Sequence, residues 1–170
     1  MLKKYAKIFV AAMVVVLIVA TLAGCSGGGT LKKPTMKEGA VAVPITGSCD
    51  LKIENGVITV SGETNLLPGS ILYISIEAQN GMTLDSVKLT KGDEDTVSHD
   101  FAITDEKYDD SVVSVTGHIS CAPRLYGTHA EIVYETYGEK FENIESEGNL
   151  VWDSTGVIVV FGSDTVDFKK

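Results

Sequence analysis

The sequence after residue 46 predicts an all-β fold, a sandwich or a barrel. Most of this region consists of short segments in which apolar and polar residues alternate, and Gly, Pro, Asn or Asp bounds each segment. One pair of segments flanks an Asn-Gly dipeptide, a strong signal for a tight hairpin. A single stretch, residues 129–137, has the spacing of a short helix instead. Together these observations predict about seven strands and one helix.

The predicted hairpin comes first along the chain. Leu51–Glu54 and Val57–Val60 flank Asn55-Gly56, which suits the positive φ angles of a two-residue type I′ turn. Residues 71–78 then alternate so that one face of a strand can be buried. Further strands are predicted at 84–90, 97–104, 112–120, 149–152 and 156–161.

The helix prediction rests on signals at both of its ends. Thr128-His129-Ala130-Glu131 has the spacing of a capping box, and Gly138 stands where a glycine often ends a helix. Ile132, Val133 and Tyr137 would form its narrow apolar face. Because β-branched and aromatic residues are frequent here, a strand is the alternative.

Two short motifs resemble those of a known family. Ser61-Gly62-Glu63-Thr64-Asn65-Leu66-Leu67-Pro68-Gly69 resembles the G-x-T-N-L-P-x-G turn of immunoglobulin-like domains in secreted and lipid-anchored proteins of Gram-positive bacteria, with the proline one place later. Tyr137-Gly138-Glu139-Lys140 is similar to a Y-G-E-K segment that follows a short helix in those domains. The resemblance spans roughly residues 50–160 and implies an immunoglobulin-like β-sandwich. It implies no enzymatic activity.

Residues 1–24 have the pattern of a secretory signal peptide. Three lysines lie between Met1 and Lys7, and an apolar run of 16 residues follows, from Ile8 to Ala23. An uncleaved membrane-spanning helix is the alternative, although such a helix needs about 20 apolar residues. Gly24 ends the run before that length is reached.

The end of this segment resembles the lipobox of bacterial lipoproteins. Leu22-Ala23-Gly24-Cys25 matches it at all four positions. The resemblance implies that the signal peptide is removed and that Cys25, the new N-terminus, is joined through a thioether to diacylglycerol. Each buried methylene contributes about 0.8 kcal/mol, so two acyl chains hold a protein durably. The expected location is the extracellular face of the cell membrane. An ordinary unpaired cysteine is the alternative.

Residues 25–46 read as a flexible tether and residues 47–170 as the folded domain. Ser26-Gly27-Gly28-Gly29 is a flexible linker sequence, and no sustained period follows it before Gly47. The whole chain has a formal charge of −9, and without residues 1–24 it has 11 basic and 23 acidic residues, a charge of −12. This acidity argues against a nucleic-acid partner, which would require a basic surface.

Cys49 and Cys121 form an even pair in a chain predicted to be exported, which permits a disulfide. If consecutive strands reverse direction, the start of the first strand and the end of the sixth lie at the same end of the sandwich. Cys49 and Cys121 occupy those two places. A bond there would close a loop of 73 residues and contribute roughly 4 kcal/mol to stability. The alternative is two unpaired, buried cysteines.

No catalytic or metal-binding motif is present in the sequence. His99, His118 and His129 have neither metal-ligand nor triad spacing, and the nucleophile elbow is absent. Asp93-Glu94-Asp95 and the acidic residues of 105–110 (Asp105, Glu106, Asp109 and Asp110) offer oxygens suited to calcium but lack the EF-hand pattern. The sequence predicts no cofactor, and hydrolase activity has no supporting constellation.

Aromatic residues supply a second candidate surface. Trp152, Tyr126, Tyr134 and Tyr137 would offer large rigid contacts, although a single Trp in a sandwich more often packs in the core, and we predict that position for Trp152. For Thr64 and Asn65, turn closure is favoured over ligand binding.

The sequence therefore predicts a non-enzymatic, lipid-anchored module that presents loops or an edge strand to a protein or polymer of the cell envelope. The alternative function is a carrier of a small ligand or of calcium that uses the acidic loops. Fold analogy alone suggests the binding role, because β-sandwiches host many activities.

Overall fold

The computed structural model describes residues 32–146 and 149–168. The predicted signal peptide, Cys25 and the first part of the predicted tether lie outside the described residues. Within the described ranges, no helix is long and apolar enough to cross a membrane. Strands dominate and one short helix is present, so the prediction of a mostly β fold is confirmed.

The described strands are β1 (Val43–Pro44), β2 (Asp50–Glu54), β3 (Val57–Glu63), β4 (Ile71–Ala78), β5 (Thr83–Thr90), β6 (Thr96–Ala102), β7 (Ser114–Cys121), β8 (Ile144–Glu145), β9 (Leu150–Trp152), β10 (Val157–Gly162) and β11 (Val166–Asp167). The helix α1 is Glu131–Tyr137.

Most strands belong to a large and a small antiparallel sheet. The large sheet has the order β5-β4-β7-β10-β9, and β11 also pairs with β7. The small sheet has the order β2-β3-β6. β1 and β8 form a separate parallel pair. This arrangement is that of a β-sandwich, in which each sheet buries one face.

The core lies between the two sheets. Val60 of β3 and Ile74 of β4 are fully buried, and burying such a side chain contributes about 1.5–3 kcal/mol. Gly117 of β7 allows the sheets to approach closely, because a Cβ there would lie 3.1 Å from a methyl group of Val60. The small sheet packs mainly against β4 and β7.

The predicted hairpin and strands are present. Asn55 and Gly56 have φ angles of 50° and 76°, the positive values that a type I′ turn requires. The strand at 71–78 has the predicted ends, and each end of the later strands lies within two residues of its predicted position. The strands β1, β8 and β11 were not predicted, because alternation cannot signal a strand of two residues.

The predicted helix is also present, and the alternative of a strand is wrong. It ends at Gly138, whose φ is 87° and whose N–H donates to the Tyr134 carbonyl. It starts two residues later than predicted and its N-cap, Ala130, makes no side-chain cap bond, so the capping box does not form. The Ala130 N–H donates instead to the Gly69 carbonyl at 3.0 Å, which fixes where the helix begins.

The buried face of α1 is narrower than predicted. Val133 and Tyr137, four residues apart, are fully buried. Ile132 lies outside that line and is 52% exposed, which corrects its predicted place on the apolar face.

The turn Thr64–Ser70, called the central turn below, connects several parts of the fold. Its backbone N–H groups donate to groups distant in sequence: Thr64 to the Asp95 carbonyl at 2.9 Å and Gly69 to the Lys91 carbonyl at 2.8 Å. The Leu67 N–H donates to the Tyr137 hydroxyl at 2.7 Å. The two motifs that resemble an immunoglobulin-like domain are therefore in direct contact.

Asn65 joins the central turn to the start of the fold. Its side-chain amide donates to the Pro44 carbonyl at 2.9 Å, and its Oδ1 accepts from the Thr46 N–H at 2.8 Å. Ile45 between them is only 2% exposed. Residues 44–46 therefore bond to the central turn and contribute a buried side chain to the core.

His129 links β4 to the segment before α1. Its Nδ1 accepts from the Ile71 N–H at 2.9 Å, so its Nε2 carries the proton and donates to the Ala122 carbonyl at 2.8 Å. The ring contacts those of Tyr134 and Phe141. Burial lowers the pKa of His129 below its ordinary 6.5, because the charged imidazolium would lose water, while the bond to Ala122 opposes this shift.

We expect Tyr137→Phe to lower the free energy of unfolding by about 1–3 kcal/mol, because it leaves the Leu67 N–H without its acceptor. Urea denaturation measures this loss. The matched control is Tyr126→Phe, which also removes a hydroxyl group but leaves no donor unpaired. Ser120 Oγ loses the Tyr126 hydroxyl there and can still donate to the Tyr73 carbonyl at 3.3 Å. An equal loss in the control would contradict the role given to Tyr137.

We expect the stability that depends on His129 to be fully present above pH 6.5 and to fall as the pH drops below that value. The unfolded chain binds the proton first there, because the pKa of His129 is lowered in the folded state. Urea denaturation at pH 7.5 and pH 5 measures the change, which His129→Gln should reduce. The same pH dependence in the wild-type chain and in His129→Gln would disprove the assignment.

Candidate functional site

The predicted disulfide between Cys49 and Cys121 is absent, and both cysteines are free and buried. Cys49 precedes β2 and its thiol donates to the Gly117 carbonyl at 3.4 Å, in the middle of β7. Cys121 lies four residues farther along β7, which is about 13 Å of extended strand. Disulfides join Cα atoms less than about 7 Å apart, so the register of β7 prevents the bond. The alternative of two unpaired, buried cysteines is the one observed.

Neither thiol is placed to react. Burial raises the pKa of Cys49 to about 12, and the neighbouring Asp50 carboxylate adds to that effect. Burial alone raises the pKa of Cys121 to about 12. Because the thiolate is the reactive form, both cysteines act as small apolar residues of the core.

The predicted aromatic surface does not assemble from its four residues. Tyr137 is fully buried against the central turn, and Tyr134 is half-buried with its hydroxyl donating to the Pro123 carbonyl. The prediction that Trp152 lies in the core is wrong, since it is 42% exposed. It ends β9, at the edge of the large sheet, whereas the small sheet covers mainly β4 and β7.

The outward face of the large sheet, turned away from the small sheet, carries polar side chains between aromatic rings. The rings of Tyr73 and Tyr126 are stacked with centroids 4.6 Å apart, and Ser120 Oγ donates to the Tyr126 hydroxyl. His118 lies 3.5 Å from a carboxylate oxygen of Glu77 on the neighbouring strand. These side chains therefore contact mainly one another.

The acidic loop 91–95 surrounds a cation supplied by the chain itself. Lys91 is 4% exposed, and its ammonium group donates to the carbonyls of Glu94 at 2.7 Å and Gly92 at 3.3 Å. It also lies 3.9 Å from a carboxylate oxygen of Asp95. This ammonium supplies the positive charge that a calcium ion would have brought, so the geometry does not favour calcium at Asp93-Glu94-Asp95.

The second acidic loop is used for turn closure and for contact with β5. Asp109 accepts from the backbone N–H and hydroxyl of Ser111, and Lys107 donates to Asp85 of β5 at 2.6 Å. Across residues 32–146 and 149–168, no group of three His, Cys, Asp or Glu side chains is placed to share a metal ion.

Two open grooves stand out on the surface. The larger, about 690 Å³, lies beside β1 and β8 and is lined by Lys33, Pro44, Ile45, Thr46, Gly47, Glu145, Ser146 and Asn149. The smaller, about 490 Å³, lies where β5 turns into β6 and is called the β5–β6 groove below. Its lining residues are Leu72, Leu89, Thr90, Lys91, Gly92, Asp93, Glu94, Thr96, Val97 and Ser98.

The β5–β6 groove combines three features of a binding site. Leu89, which is half-buried, gives it apolar surface beside the buried Leu72 and Val97, and the acidic loop gives it a charged rim. β5 and β6 are edge strands of opposite sheets, each paired on one side only within the described part of the chain. The acidic loop is visible in the sequence but the groove is not, because only the strand order shows that β5 and β6 are both edges.

No family model matches this chain, and comparisons with curated proteins and with solved structures found no significant match. The function is therefore inferred from the sequence and from the geometry of the described residues.

We expect neither Cys49 nor Cys121 to react with a thiol reagent in the native protein, because burial raises the pKa of both to about 12. The Cys25→Ser chain contains only these two thiols. Titration should detect both after denaturation without reductant and none before it. Fast labelling of the native chain, or no thiols after denaturation, would contradict the structure.

Proposed function

We propose that this protein is a lipid-anchored, non-enzymatic binding module on the extracellular face of the cell membrane. The observation that carries the proposal is the lipobox-like Leu22-Ala23-Gly24-Cys25, whose first two residues end an apolar run of 16 residues. By this proposal the signal peptide is removed and Cys25 carries a diacylglyceryl group. The folded part is then left outside the membrane to meet a partner of the cell envelope.

We further propose that the domain is of the immunoglobulin-like type. Two facing antiparallel sheets support this assignment at the level of architecture. The contact between Leu67 and Tyr137 supports it at the level of sequence, because it joins the two motifs that carry the resemblance. Binding domains of this architecture present loops and strand edges, and the β5–β6 groove offers both.

The positions of the histidines support a non-enzymatic role. His129 holds the Ile71 and Ala122 backbone groups, and His99 packs edge-on against Phe101. His118 lies beside Glu77 on the outward face, with its Nδ1 buried. Each of these contacts has a structural purpose that needs no substrate.

The proposed anchor also limits where a partner can be met. Six residues separate Cys25 from Lys32, and the chain between those two residues spans at most about 25 Å. The proposed mature chain has a charge of −12. An anionic membrane therefore repels the folded domain, although the lipid anchors that domain to it. We therefore propose a partner that lies close to, but not in, the lipid surface.

We expect wild-type protein to incorporate radiolabelled palmitate in growing cells and to fractionate with membranes, and Cys25→Ser to lose the label. Intact-mass measurement should place the mature N-terminus at Cys25. The control Cys49→Ser should retain both the label and the membrane fraction. Retention of Met1 would favour the uncleaved helix instead, and a label on Cys25→Ser would refute lipidation at Cys25.

A further inference from the structure

The side of the sandwich at β5 and β6 is open to a further strand. β5 ends the large sheet and β6 ends the small sheet, so within the described residues each leaves one row of backbone N–H and C=O groups unpaired by a neighbouring strand. The lining segment Thr96–Ser98 of β6 is about 10 Å long, which matches three residues of an extended peptide. Such edges are a recurrent site for binding by strand addition.

The apolar surface of the groove lies beside these edges. The half-buried Leu89 supplies most of it, because its cross-strand partner Leu72 is fully buried and Val97 is only 9% exposed. Side chains of an extended peptide alternate between two faces, so every second residue of a bound strand would contact this surface. A partner segment that alternates apolar and polar residues fits this arrangement.

The charge at the rim selects the polar residues of such a segment. Asp93 and Glu94 line the groove and are exposed, and Asp95 beside them has a side chain that is 80% exposed. The Lys91 ammonium is directed into the loop, where it meets the carbonyls of Gly92 and Glu94. The open rim is therefore anionic and attracts a basic occupant.

The neighbouring side chains do not neutralise this rim. Glu63 pairs with Thr96 and so lies on the outward face of the small sheet, opposite to Val97. Lys88 pairs with Tyr73 and so lies on the outward face of the large sheet, away from the groove. A second copy of this chain offers the same acidic rim and no basic segment beside it, so the charge does not favour self-association there.

We propose that the β5–β6 groove binds an extended peptide segment of a partner protein in which lysine or arginine alternates with apolar residues. The segment adds as a strand to a free edge, with its apolar side chains on the half-buried Leu89. Its basic side chains lie beside Asp93 and Glu94. This inference rests on the proposed binding function, and it is independent of lipidation at Cys25.

The test uses the detergent-solubilised full chain and a synthetic eight-residue peptide of alternating lysine and valine with blocked ends. We expect saturable binding by fluorescence anisotropy, and binding at least about tenfold weaker for the same peptide with glutamate in place of lysine. No binding of the lysine peptide, or equal binding of both peptides, would overturn the proposal while leaving the palmitate experiment unaffected.

A charge reversal at the rim locates the site. The double variant Asp93→Lys, Glu94→Lys should bind the lysine peptide about tenfold more weakly than the wild-type chain. The matched control is Glu54→Lys, Glu106→Lys. Glu54 lies at the opposite end of the small sheet, because its partner Val57 pairs with Ala102, and Glu106 follows Ala102 by four residues. Equal weakening in both variants would show charge attraction without a site.

Backbone methylation of the peptide tests strand addition itself. We compare two lysine-valine peptides that are N-methylated on alternate sets of residues, so that each loses the donors of one edge. One set should weaken binding by about tenfold or more, because it removes the N–H groups that pair with the protein edge. If both methylated peptides bind as well as the parent, strand addition is wrong.

Discussion

The structure depends on the central turn, because its groups bond to three separate parts of the chain: the first strand, the acidic loop and the helix. Buried backbone N–H and C=O groups must be paired, and here few of the partners come from the turn itself. Leu67 uses the Tyr137 hydroxyl, Gly69 the Lys91 carbonyl and Thr64 the Asp95 carbonyl. If the central turn moved, α1, the acidic loop and β1 would each lose a hydrogen bond.

Gly69 shows how closely these parts meet. Its φ is 84°, a value that glycine adopts without strain. A Cβ there would lie 2.4 Å from the Cβ of Ala130, so the residue that precedes α1 packs directly on the turn. The short helix thus has its start fixed by contact with the turn and its last residue, Tyr137, fixed by the bond to Leu67. Seven residues of helix would be marginal alone, and these contacts stabilise it.

The same turn also orders the proposed binding groove. Lys91 exchanges backbone bonds with Gly69 and Ser70, and its side chain then holds the carbonyls of Gly92 and Glu94. The acidic loop is therefore fixed from its base and from its centre. A partner that binds a fixed rim loses less entropy than one that must order a loop, so this arrangement favours recognition at modest contact area.

Local pattern determined which features the sequence could predict. Alternation over 71–78 and the Asn55-Gly56 pair act within a few residues, and both predictions are confirmed. Trp152 is exposed and Cys121 is unbonded for nonlocal reasons, namely which strands the small sheet covers and how far β7 extends past Gly117. The groove was missed for the same reason, although Lys91, two residues before the acidic run, was a visible signal of an internal charge pair.

Under the proposed function, Cys25 and the two cysteines of the folded domain have opposite chemical requirements. Cys25 must present a reactive thiol for lipid attachment, whereas a free thiol in an exported domain risks unwanted bonds. Burial resolves this conflict, because it raises the pKa of Cys49 and Cys121 to about 12 and removes both from contact with oxidants. A domain of this size can bury enough apolar surface to fold without a covalent staple. The absence of the predicted disulfide is therefore consistent with the proposal that Cys25 is the cysteine that reacts.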